Sequence, residues 1–304
     1  MKSINSAAVI IFSLLSAGCS SSGEDESGQM SLRITDAPID EATAVVVQFS
    51  EVQIRGTDAT QNINFKFDTP KSIDLLALQG SATQSLFSDE TVPAGIYNEI
   101  RLLINAQPGT VDSYIVLQQG GAQHELTVPG GAESGLKVKG TFSVPANGSS
   151  SFTVDFDVRK SIVKSGNANS ANGIKYHLKP VLRLVEDTQV GSISGSVDSA
   201  LLSAPGCSDA DIDTHNAVYI FSGAGVSPDD IDSDAIEPVI SALVNYDTAT
   251  DSYRYQAAFL LAGSYTVAFT CNADAENIET NDDLQFGPAQ DVTVVAGENS
   301  PASF

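Results

Sequence analysis

Apolar and polar residues alternate with a period of two along much of the chain. Ile63, Phe65 and Phe67 alternate with polar neighbours. So do Ile100, Leu102 and Ile104, and again Phe152, Val154, Phe156 and Val158. This is the signature of strands buried on one face. Ala44-Val45-Val46-Val47-Gln48-Phe49 is short and β-branched, which predicts a central strand. Turn residues separate the runs: Pro108-Gly109, Gly120-Gly121, Pro129-Gly130-Gly131 and Asn147-Gly148. Gly120-Gly121, lying between Tyr114–Gln118 and Gln123–Val128, predicts a hairpin. In Ile73–Phe87 the spacing of Leu75, Leu76, Leu78 and Leu86 predicts a short helix capping one end.

The second half repeats the style. Ser192–Val197, Ala217–Phe221, Tyr253–Phe259, Tyr265–Cys271 and Asp291–Val295 read as strands between Gly-, Pro- and Asp-rich connections. Charge divides the two halves. From Gly28 to Gln189 there are 13 basic and 17 acidic side chains; from Val190 onward Arg254 is the single base against 18 acids. The break predicts a boundary near Asp187-Thr188-Gln189-Val190, with domains over about 30–187 and 190–304. A chain this acidic is a poor partner for nucleic acid. The fold class expected is all-β, as two antiparallel β-sandwiches.

One short echo links the halves: Val92-Pro93-Ala94-Gly95-Ile96-Tyr97 and Leu260-Leu261-Ala262-Gly263-Ser264-Tyr265. Each is a tight turn at Gly feeding a strand whose first inward residue is aromatic. The turn-plus-Tyr resembles that of prealbumin-like and carboxypeptidase-regulatory-like sandwiches, where the Tyr packs near a corner.

The first residues carry chemistry of a different kind. Lys2 is the only charge in the first 23 residues, and Ala7–Leu15 is apolar but too short to span a bilayer. Leu15-Ser16-Ala17-Gly18-Cys19 closes the run and Ser20-Ser21-Ser22-Gly23-Glu24-Asp25-Glu26 follows. This resembles the lipobox of bacterial lipoproteins, although Ser16 stands where Leu is commonest. The resemblance implies that residues 1–18 are a removed signal peptide and that Cys19 carries the lipid. Two or three acyl chains hold a protein stably to a membrane. Ser20, where an Asp would retain the protein at the inner membrane, points to the outer one. Residues 19–29 then read as a polar tether. With Cys19 acylated, Cys207 and Cys271 remain, and in an oxidising compartment an even remainder reads as a disulfide. The bridge would close about 65 residues and contribute roughly 4 kcal/mol on the loop-entropy model. The alternatives are two free buried thiols or a metal pair, the latter disfavoured because His215 is the one histidine near either cysteine in sequence.

Four segments bear on family: Leu32-Arg33-Ile34-Thr35-Asp36-Ala37-Pro38, Ile73–Gly80, Val154-Asp155-Phe156-Asp157-Val158-Arg159-Lys160-Ser161, and Leu178–Val185. Together they resemble the domain catalogued as domain of unknown function 4382, over about residues 30–185. The resemblance implies a β-rich extracytoplasmic domain and brings no catalytic residues with it.

His124, His177 and His215 fall in no metal-ligand spacing, and there is no G-x-S-x-G, P-loop or G-x-G-x-x-G. Asp155 and Asp157 share a strand face with Arg159. They read as an acid–base pair, as ligands for a cation, or as a solvated face whose charges pair with Lys179 or Arg183. Asp36 reads as a strand-end residue bonding nearby backbone N–H groups. Asp229-Asp230-Ile231-Asp232-Ser233-Asp234 and the later Asp274, Glu276, Glu279, Asp282 and Asp283 are the candidate metal ligands. Hard oxygen donors in loops suit Ca²⁺. Asp230, Asp232 and Asp234 imitate an EF-hand start, but Ala235 replaces the required Gly and Ser241 the final Glu. The expected site is therefore Asp230, Asp232, Asp234, Asp282 and Asp283 holding Ca²⁺ weakly, or else a solvating acidic surface with no cofactor. The function expected is a non-catalytic outer-membrane lipoprotein, a binding or structural module for an envelope protein or glycan. A carbohydrate-binding or adhesive module is the first alternative, disfavoured by the absence of Trp. An envelope hydrolase built on Asp155 and Asp157 is the second.

Overall fold

The computed structural model describes residues 26–37, 42–58, 61–118, 120–128, 134–166, 173–207, 211–232 and 235–304. Cys19, the leader, Pro38, the Pro129-Gly130-Gly131 turn and Asp234 lie outside them. The first half contains β1 (Ser27–Ala37), β2 (Ala42–Gly56), β3 (Ile63–Asp74), β4 (Gln84–Pro93), β5 (Gly95–Asn105) and β6 (Tyr114–Leu117). It continues with β7 (Gln123–Thr127), β8 (Leu136–Val144), β9 (Ser149–Asp157), the single helical turn α1 (Val158–Ser161), β10 (Ile162–Gly166), β11 (Ile174–Leu178) and β12 (Leu182–Glu186). Four strands form one sheet in the order β12-β9-β1-β4. A larger sheet runs β10-β11-β7-β6-β2-β5-β8, with β3 also paired to β2. One apolar cluster, from Met30 to Leu178, fills the space between.

β2 is central, as its composition predicts, but it is longer than the apolar run suggests. Its fully buried residues (0% exposed) are Val45, Val47 and Phe49, then Val52 and Ile54. The parity changes from odd to even, which in a regular strand would turn the last two toward solvent. The register slips between Phe49 and Glu51 against both β3 and β5. Against β5 one extra residue, Ser50, absorbs the change as a bulge and returns Val52 and Ile54 to the core, whereas against β3 the additional residues lie on β3 between Lys66 and Lys71.

The second half contains β13 (Val190–Val197), the helical turn α2 (Ser199–Leu202), β14 (Ala217–Ser222), β15 (Pro238–Leu243) and β16 (Asn245–Asp247). It ends with β17 (Ser252–Leu261), β18 (Gly263–Thr270), β19 (Gln290–Val294) and β20 (Asn299–Pro301). The sheets are β16-β17-β13-β20 and β15-β14-β18-β19. Their main core holds Ile193, Val218, Ile220, Tyr255, Val267 and Phe269 among others. A second cluster packs Ala217, Tyr219 and Phe221 against Ile231, Ala273 and Leu284. β14 is thus buried on both faces, one by the opposing sheet and the other by loops, which is why it reads as a continuous apolar run. Antiparallel pairing dominates throughout. The pairs β1–β9, β7–β11 and β13–β20 are parallel, each joining strands far apart in sequence.

The echoed turns perform the same task in both halves. β4 pairs with β1 whereas β5 pairs with β2; β17 pairs with β13 whereas β18 pairs with β14. Each turn therefore carries the chain from one sheet to the facing one. Tyr97 donates its hydroxyl hydrogen bond to the carbonyl of Pro93 (2.5 Å), and Tyr265 donates to that of Leu261 (2.8 Å). Both bonds reach four residues back across the corner, as in the tyrosine corner of Greek-key sandwiches. Gly95, at φ 147°, occupies backbone space that favours glycine.

The structure corrects several expectations. The tether does not reach Gln29: β1 begins at Ser27, opposite Pro93 of β4. The leucines of Ile73–Phe87 do not share one helix. Leu75–Ala77 is a 3₁₀ turn capped by Asp74, and Leu86 lies in β4. The predicted hairpin at Gly120-Gly121 is present as the antiparallel pair β6–β7. Asp155 and Asp157 do not line a solvated face with Arg159. Asp155 is 4% exposed, and the strand ends at Asp157, where the chain turns into α1.

Candidate functional site

The segment Val154–Ser161 carries Asp155, Asp157, Arg159 and Lys160, and each has a structural partner. Asp155 accepts a hydrogen bond from Arg183 Nη2 (2.6 Å), its cross-strand neighbour on β12. Asp157 caps α1 by accepting from the backbone N–H of Lys160 (3.1 Å). Burial pushes the Asp157 carboxyl up to about 6, against the opposing charge of Lys160. Asp36 Oδ1 accepts from the N–H of Val158, which ties it to a segment distant in the chain. Ser161 Oγ donates to the carbonyl of Asp157 and accepts from the N–H of Val181.

Beyond the cap, α1 reaches into the second half. Lys160 Nζ donates to the carbonyl of Pro238 (2.6 Å) and lies 3.3 Å from a Glu237 carboxylate oxygen. Arg159 is 8% exposed; its Nη1 donates to the carbonyl of Ala273 (3.4 Å) and its guanidinium sits 5.9 Å from the Tyr219 ring centre. The motif is a clamp between the halves.

On the far side of Tyr219 is an acidic cluster. Two loops, residues 223–232 and 271–289, cover the outer face of β14. The Tyr219 hydroxyl donates to Glu276 Oε2 (2.8 Å), and the N–H of Ile231 donates to both Glu276 oxygens (3.1 and 3.2 Å). The N–H of Asp282 donates to Asp230 Oδ2 (2.6 Å). Carboxylate oxygens of Asp230, Glu276 and Asp282 lie within 4.8 Å of one another. Burial pushes the Glu276 carboxyl up to about 7, helped by the charge of Asp230 and opposed by the Tyr219 and Ile231 bonds and by Arg159.

Of the five expected ligands, Asp230 and Asp282 meet. Asp232 does not join them: it accepts from Asn281 Nδ2 (3.0 Å). Asp283 accepts from Gln285 Nε2 (3.0 Å) instead, and Asp234 is outside the described residues. Glu276, a candidate ligand in the sequence but outside the expected five, is the third member. The second acidic run, immediately after a cysteine, was the available signal. Cys207 and Cys271 form a disulfide with Cα atoms 5.3 Å apart, and Asn272 Nδ2 donates to the carbonyl of Gly206 (2.7 Å). These contacts anchor the start of the second loop.

Sugar stacking would need clustered exposed rings. Tyr246, 44% exposed, is the one aromatic among the large exposed apolar side chains of the described residues. Among the same residues no helix is long and apolar enough to cross a membrane.

An all-β protein of facing sheets, held by a charged clamp between its halves, is the class that fold and site define. The chain belongs to the family described as Domain of unknown function (DUF4382), whose model matches residues 27–180. No curated protein matches it. Among solved structures it is similar to a leucine-rich repeat protein from Bacteroides thetaiotaomicron, at 10% identity and TM-score 0.21 over 92% of this chain and 26% of that one. It is also similar to the Bacillus anthracis TIE protein, at 11% identity and TM-score 0.19 over 91% and 34%. A third is the minor pilin GBS52 of Streptococcus agalactiae, at 10% identity and TM-score 0.19 over 90% and 94%. The chain spans about a quarter of the first of these and a third of the second. Superpositions at such scores establish no common fold.

Proposed function

We propose that this protein is a lipid-anchored module of the bacterial outer membrane, attached through Cys19, whose β-rich body binds or braces another envelope component without catalysing a reaction. The observation that carries the reading is the clamp. The charged residues best placed in sequence for chemistry, Asp155, Asp157, Arg159 and Lys160, are engaged in joining strand to strand and half to half. A rigid, internally braced body on a polar tether suits holding and positioning. The Cys207–Cys271 bridge suits an oxidising compartment.

Peptide mass spectrometry of detergent-extracted protein is expected to find diacylglycerol on Cys19, with Cys19→Ser moving the protein to the soluble fraction. An unmodified Cys19 on a membrane-free protein overturns the anchor. Crosslinking on intact cells followed by capture is expected to recover a discrete envelope protein or glycan. Sustained turnover of an envelope polymer by the purified protein overturns the non-catalytic reading.

A further inference from the structure

We propose that Asp230, Glu276 and Asp282 bind a Ca²⁺ ion that fastens the two loops over the outer face of β14. Two independent observations point there. The first is the convergence of carboxylate oxygens from two loops to within 4.8 Å. The second is Asp230 itself. It is 1% exposed, and its Oδ1 is buried with no hydrogen-bond partner although its Oδ2 is satisfied. A buried carboxylate oxygen left unpaired costs free energy that a cation recovers. Asp155 Oδ1 is also unpartnered, but that carboxylate already faces Arg183 at 2.6 Å. At the acidic cluster, three carboxylates meet the charge of Arg159, felt at Glu276.

The donor set selects the ion. All three side chains offer oxygen, with no imidazole or thiolate among them, which sets aside zinc and the softer metals. The ligands come from irregular loops, and Ca²⁺ accepts irregular geometry whereas Mg²⁺ demands a near-octahedral shell. Of the three, Glu276 lines a neighbouring cleft with Arg159, Ile162, Val163 and Lys164. The backbone bonds from Ile231, Asn277 and Asp282 hold the carboxylates in place before the ion arrives. The affinity expected is that of extracellular modules, with Kd about 10⁻⁴–10⁻³ M.

The test uses the full chain stripped with chelator. Millimolar Ca²⁺ should raise the melting temperature of the wild type by several degrees, and Glu276→Gln and Asp282→Asn should abolish the rise. In chelator the Asp282→Asn variant should melt no lower than the wild type, because it relieves like-charge repulsion. Tb³⁺ supplies a second readout that does not depend on stability. The chain has no Trp, so emission sensitised by the ring at Tyr219 should appear on Tb³⁺ addition and be displaced by Ca²⁺. It should fall in Tyr219→Phe, whose Ca²⁺-induced melting shift persists. No melting shift and no sensitised emission in the wild type overturns the proposal. So does a shift of equal size in all variants, which would place the ion elsewhere, or an equal shift with Mg²⁺, which would reduce the effect to screening.

Discussion

Asp157 is one side chain with two opposed roles. As N-cap of α1 it accepts from the N–H of Lys160, yet it is mostly buried, and burial holds its carboxyl near 6 against an ordinary 3.8. A raised carboxyl pKa means that the folded state keeps its proton over a pH range in which the unfolded chain has lost it. Folding stability from this group is therefore greatest below about pH 4, declines as pH rises toward 6, and is level above that. The size is on the order of 2–3 kcal/mol for two pKa units. Asp157→Asn keeps the cap, since Asn is as good an N-cap as Asp, and removes the charge. The expected outcome is a wild-type-minus-variant stability difference, from urea melts, that falls between about pH 4 and pH 6 and is flat from pH 6 to 8. Parallel curves across that range would show the carboxyl to be ordinary. The presence of this Asp was plain in the sequence. Its burial was not, because the alternation Phe152, Val154, Phe156 placed it on the polar side of a strand, and only the opposite face of that strand was expected to be covered.

At the scale of the element, β2 shows how far local pattern carries and where it stops. Alternation identifies Val45, Val47 and Phe49 as one face, and Val52 and Ile54 as a face of opposite parity. Two strands, or one bulged strand, fit that pattern equally well. The partner β5 chooses the bulge, because its adjacent residues Ile104 and Leu103 face Phe49 and Glu51, leaving Ser50 as the extra residue. A paired deletion tests this. Removing Ser50 restores unbroken alternation from Val45 through Ile54, and the protein is expected to fold with a modest loss. Removing Gln53 places Val52 and Ile54 on opposite faces. It should cost the burial of at least one large side chain, about 1.5–3 kcal/mol, together with the ladder it disrupts. Equal loss for the two deletions in thermal melts, or greater loss for Ser50, would contradict the bulge. In the tyrosine corners, six residues of echoed sequence foretold a Gly turn feeding a strand with an inward Tyr in each half; that both turns cross between sheets and share a hydroxyl–carbonyl bond is what the tertiary structure added.

For the molecule as a whole, the question is what holds its halves together. Arg159 carries much of the contact, through the Ala273 carbonyl and the Tyr219 ring, and it is nearly inaccessible. Arg159→Ala leaves a cavity and an unpaired carbonyl in the seam, a loss on the order of 2–3 kcal/mol. The loss should be local. Hydrogen exchange is expected to quicken in β14 and in the loop 271–289 while β2 stays protected, and unchanged protection of β14 would mean that the clamp is incidental. The sequence by itself marked many of the strands, several turns, the two cysteines available to pair and the family, because each depends on residues close together in the chain or on counting. It also located both acidic runs. It did not decide which acids meet. Asp230, Glu276 and Asp282 are brought together by the covering of β14 on its second face, and Arg183 and Asp155 by a register between β9 and β12. Those outcomes depend on which faces pack against which. A period-two pattern says that a strand has a buried face, but whether its other face meets water or a loop is settled only when the sheets assemble.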